Sequence, residues 1–162
     1  MKPTFAILDW EMMTIPVIVY AGPCPIPKEA IRTLKKRKAK SRYRGCIPVE
    51  RIVKEIQERN SYRENDGWTA DTGWFDKGNS ILVWCSTYSD SILAHELIHV
   101  IHAAMKKTGI EDEEFEAYTM QWMFGDIRYK LTGIWDKGGE DFTKNKTHLP
   151  RHCGTRCGEE AL

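Results

Sequence analysis

The sequence predicts an α+β domain in which a small mixed or antiparallel sheet packs on helices. Three observations lead there: β-branched and aromatic runs near the start, apolar positions at helical spacing over 91–108 and 112–124, and a short apolar run at Ile81–Cys85 just ahead of them. With 162 residues, 41% of them hydrophobic, and six tryptophans, the chain can bury one core without help from a metal or a disulfide. The expected division is a single domain over 1–137 and a polar tail over 138–162, where glycine and charge replace large apolar residues.

Phe5 to Trp10 and Ile15 to Tyr20 read as the first two strands. The proline-rich stretch Gly22-Pro23-Cys24-Pro25-Ile26-Pro27 then forces a loop, and a helix is predicted to begin near Pro27. Val49 to Arg59 has helical period, with Ile52, Val53 and Ile56 on one side. Gly67 to Phe75, followed by Asp76-Lys77-Gly78-Asn79 and the strand from Ile81, is a hairpin signal. Thr87 to Ser91 offers turn and N-cap chemistry for the helix over 91–108, whose stripe is Ile92, Leu93, Leu97, Val100, Ile101, Ala104 and Met105. Gly109 ends it. A second helix over 112–124 opens on acidic residues that suit its N-terminal dipole and is expected to close near Gly125.

Residues 1–44 carry ten Lys or Arg against three Asp or Glu, so a basic front part faces an acidic remainder although the net charge is only +1. Most of the excess is Arg32, Lys35, Lys36, Arg37, Lys38, Lys40, Arg42 and Arg44. A solvated helix face is the commoner explanation for such a run, since no interleaved aromatics or base-reading module accompany it; contact with nucleic acid, or docking on the chain's own acidic part, are the alternatives. Five scattered cysteines, an odd number, fit a reducing cytoplasm better than a disulfide framework. Asp9, Glu11 and Pro16 interrupt the apolar stretches of residues 1–20, so neither a signal peptide nor a membrane partner is expected.

The chemistry is concentrated in His95-Glu96-Leu97-Ile98-His99. On a helix the two histidines stand one turn apart on one face, so both rings can reach a single zinc ion. Glu96 falls on the flank of that face, suited to take a proton from the water that the ion activates. His102 lies seven residues from His95, about 10.5 Å of rise, too far to share that ion. The third ligand must therefore come from another element.

Downstream, Glu114-Phe115-Glu116-Ala117-Tyr118 stands on the next predicted helix. With the histidine motif, this run resembles the gluzincin type of zincin metallopeptidase, in which a glutamate in Glu-x-x-Ala on a following helix completes the site. The stretch from His95 to Tyr118 is similar to very small metallopeptidase-like proteins of bacteriophages. The resemblance covers about Ile81 to Trp122. It implies a zincin-like core, with His95, His99 and Glu114 as ligands of one Zn2+ ion; Glu113 is the alternative to Glu114. Tyr118 replaces the aspartate that some gluzincins carry four residues after the ligand glutamate. It reads either as core or as a hydrogen-bond donor to the developing oxyanion.

A zinc-dependent peptidase of the cytoplasm is the expectation, with Glu96 as general base, a peptide or protein as substrate, and the 81–84 strand or its hairpin partner as an edge for extended substrate. The alternative is a zincin-like binding protein in which a metal only fixes the helix pair. His148, His152, Cys153 and Cys157 form a weaker candidate for a second metal site, since their spacing is not that of a C-x-x-C pair.

Overall fold

The structure, a computed structural model, describes residues 2–60, 67–71 and 80–134. Strand β1 (Thr4–Trp10) turns through a short 3-10 segment into β2 (Ile15–Ala21), and the two pair antiparallel from Thr4↔Ala21 to Trp10↔Ile15. Helices α1 (Lys28–Lys40) and α2 (Val49–Asn60) follow, then β3 (Gly67–Asp71) and β4 (Ile81–Cys85), which pair antiparallel with each other. β4 also lies parallel to β2, so the mixed sheet has the order β1-β2-β4-β3. Helices α3 (Asp90–Thr108) and α4 (Glu113–Thr132) close the described chain.

Strand alternation divides the core in two. Ala6, Leu8, Trp10, Val17, Val19, Val83 and Cys85 face one side and pack with Leu93, Leu97, Val100, Ile101, Met123 and Ile127 of α3 and α4. Phe5, Ile18, Tyr20, Leu82 and Trp84 face the other and meet Ala30 and Leu34 of α1 and Ile52 and Ile56 of α2. The α+β expectation is met as a three-layer arrangement, with a helix pair on each face of the sheet.

Between β2 and α1 the chain passes close to itself. Gly22 donates to the Cys85 carbonyl at 2.9 Å, and its own carbonyl accepts from the buried Trp84 indole at 3.0 Å. A Cβ at Gly22 would stand 2.7 Å from Cβ of Pro3 and 2.8 Å from the Tyr20 hydroxyl, so only glycine fits. The turn thereby supplies a partner to a donor that burial would otherwise leave expensive.

Of the two strands expected as an edge one is inner, and one expected helix end is corrected. β4 is an inner strand, because its parallel pairing with β2 occupies the side away from the hairpin; β3 is the edge beside it. And α4 does not close near Gly125 but continues to Thr132, where Gly133 (φ 72°) caps it. Ile127 and Leu131 continue the buried spacing of Thr119 and Met123 past the glycine, and one interior glycine, at about 1 kcal/mol, does not outweigh that burial. The extended end is tied across the β1 edge: Lys130 Nζ reaches the Ile7 carbonyl at 2.9 Å, and Arg37 of α1 donates to the Lys130 carbonyl at 2.8 Å. The hairpin turn over 72–79, the tail over 138–162 and its His148, His152, Cys153 and Cys157 lie outside the described residues. Among the described residues no helix is long and apolar enough to cross a membrane.

Candidate metal centre

α3 starts directly after β4, and its first turn is anchored from two sides. Tyr88 hydrogen-bonds Asp90, and Arg128 of α4 forms an ion pair with the same carboxylate at 3.1 Å. Leu93, Leu97, Val100, Ile101 and Ala104 bury the underside of the helix against the sheet. This fixes the rotation of α3 and turns His95, Ile98, His99 and His102 outward.

His95 and His99 come together as the i, i+4 spacing requires. Their Nε2 atoms are 3.2 Å apart and their rings lie edge to face at 83°. Two nitrogens bound tetrahedrally to one zinc at about 2.0–2.1 Å stand about 3.3 Å from each other, so the separation of the pair matches that of two ligands of one ion. Glu96 is about 100° further round the helix. It is only 6% exposed and lies against the sheet side, near Cys85. Burial first, and the Glu96 carboxylate second, push the Cys85 thiol up to about 12. A buried glutamate beside two outward histidines sets a carboxylate on the flank of the site toward β3 and β4, over which α3 lies.

The third expected ligand, Glu114, stands in the first turn of α4. His102 Nε2 meets Glu116 Oε1 at 2.9 Å, and Asp90 meets Arg128. Twelve residues separate these contacts on either helix, so the antiparallel register is constant along the pair. Counting from it, His99 stands level with Thr119, His95 with Met123, and Glu114 with Ala104. Glu114 is thus about 7.5 Å of helix rise from His99, and its side chain leans further toward the loop. Among the described residues no third His, Cys, Asp or Glu gathers with the histidine pair. Glu113 and Glu114 are both exposed; Asp112 fastens the turn by accepting from the backbone N–H of Glu114 at 2.9 Å and of Phe115 at 3.1 Å. Glu116, not singled out in the sequence, is the acidic residue of α4 that reaches a histidine of α3. Its pairing with His102 at i and i+14 across a short loop leaves no periodic trace in sequence.

Tyr118 is 68% exposed, so it is not a core residue. It stands within one residue of the level of His99, on an outer face of α4 that also exposes Trp122 and Tyr129. His102 is exposed and paired with Glu116. No protein family, curated protein or solved structure matches the chain.

Proposed function

We propose that this chain is a zinc-dependent hydrolase of the cytoplasm that cleaves peptide bonds. The observation that carries the reading is the separation of His95 and His99, whose Nε2 atoms stand 3.2 Å apart with a buried carboxylate on their flank. His95 and His99 would hold the ion through these nitrogens. When bound, zinc acidifies water and polarises the scissile carbonyl. Glu96 accepts the proton that water gives up as it attacks, and returns it to the departing amide nitrogen.

The third donor is drawn from the acidic first turn of α4. Glu114 is the residue expected from sequence, and Glu116 is nearer to the histidine level and already in contact with α3. Zinc retention in Glu114→Ala and Glu116→Ala distinguishes them. Tyr118 enters as the exposed hydroxyl closest in level to His99, available to a substrate carbonyl. Edge strand β3 gives an extended substrate a backbone to pair with.

The test is Glu96→Gln. The variant should keep its zinc while hydrolysis of a peptide library falls by about 10²–10⁴, the usual worth of a positioned general base. Turnover at the wild-type rate would remove Glu96 from the mechanism. The contact of Glu116 with His102 at 2.9 Å, which engages one acid of that turn, favours a second reading, a protein that binds without cleaving. A peptide library left intact both with and without chelator would select it.

A further inference from the structure

We propose that the outer face of α1 docks on the phosphate backbone of a nucleic-acid duplex. Residues 28–44 hold nine Lys or Arg and a single acid, Glu29. The fold uses the apolar side of α1, through Ala30 and Leu34, to cover the sheet. That leaves Lys28, Arg32, Lys35, Lys36 and Lys40 exposed along about 18 Å of helix. None of these five forms an ion pair among the described residues. Acids on two neighbouring elements are engaged: beyond the end of α1, Glu11 pairs with Arg42 at 2.6 Å and Asp9 accepts from the Ser41 hydroxyl and from the Arg42 backbone N–H, and on α2, which also carries Glu50 and Glu55, Glu58 pairs with Lys54. The acidic turn at 111–116 belongs to the α3 and α4 layer on the opposite side of the sheet, so it does not neutralise α1.

Such a face would expel counterions from a polyanion. A lipid surface is the poorer match, because an interfacial helix needs an apolar face to insert, and α1 exposes no large hydrophobic side chain. A single strand is also a poorer match, since no aromatic side chain stands on this face to stack on bases. The chemistry is that of backbone contact without base reading. Because α1 and the histidine pair lie on opposite layers, a duplex on one would leave the other open.

Binding to a fluorescent duplex of arbitrary sequence, followed by anisotropy, tests this. With about four phosphates contacted, log affinity should fall with log salt at a slope of about −3.5, about 100-fold between roughly 50 and 200 mM. Arg32→Glu and Lys36→Glu should each weaken binding about tenfold and flatten the slope by about one or more. Lys106→Glu, the same change of charge on α3, should alter neither, and a chelator should have no effect. The proposal is overturned if the folded wild type shows no salt-dependent duplex binding, if Lys106→Glu costs as much as Lys36→Glu, or if anionic vesicles or single strands are bound in preference. None of these outcomes depends on zinc or hydrolysis, so the hydrolase reading stands or falls separately.

Discussion

Cys85 reports on the chemical surroundings of Glu96 more directly than either histidine does. The two groups share the space between β4 and α3, and the thiol is pushed up from an ordinary value of 9.0 to about 12. Tyr20, buried on the other face, rises from 10.0 to about 12. For both, the folded chain keeps a proton that the unfolded chain releases first. Their contribution is therefore complete below about pH 9 and is lost as pH climbs from there toward 12, by up to about 1.4 kcal/mol per pH unit for a single group. Urea midpoints should fall between about pH 9 and 11, with a shallower fall in Cys85→Ala because Tyr20 remains. A midpoint independent of pH in that window would contradict the burial of both groups.

The parts of the site legible in sequence were those that depend on one helix alone. The spacing of His95 and His99 and the flank position of Glu96 follow from 3.6 residues per turn, and a local rule suffices. The level of Glu114 does not obey such a rule. It depends on how α3 and α4 slide past each other, which is set by a four-residue loop, by the cap at Asp112 and by the pairing of Asp90 with Arg128, thirty-eight residues apart.

At the scale of elements, α4 depends on its first turn. Asp112 satisfies two of the four N–H groups that a helix start leaves open. Asp112→Ala should cost about 0.5–2 kcal/mol and release the turn that carries Glu113, Glu114 and Glu116. Thermal melts measure the first effect, and faster amide exchange at residues 113–116 the second. Unchanged exchange there would mean that packing of Phe115 and Met120, not the cap, holds the turn. The bounds of β1, β2, β4, α2 and α3 are otherwise readable within a residue or two, because β-branched and aromatic runs mark the strands and helical period is strong in α2 and α3. What alternation does not reveal is the partner: β4 reads as apolar on both sides whether it is central or at an edge, and its parallel pairing with β2 joins residues more than sixty positions apart. Gly125 misled for the converse reason, as a local breaker overruled by Ile127 and Leu131.

Over the whole molecule, two apolar layers separated by the sheet account for stability without an ion. The largest buried side chains, Trp10, Trp84, Tyr20 and Phe5, lie in the sheet and away from the histidines. Removing zinc should therefore leave a cooperative fold. At a free ion level of about 100 times Kd, loss of the ligand costs about 2.7 kcal/mol, or about 5–10 °C in Tm for a chain of this size. An apo protein that loses its far-UV circular dichroism at room temperature would show instead that the metal is structural.

The central claim is that His95 and His99 act as a pair on one ion, and elemental analysis of the purified chain addresses it most directly. After expression in zinc-replete medium the wild type should hold one zinc per chain, and His95→Ala and His99→Ala should each lose it while remaining folded. Wild-type protein without metal, or single variants that retain a full equivalent, would contradict the account.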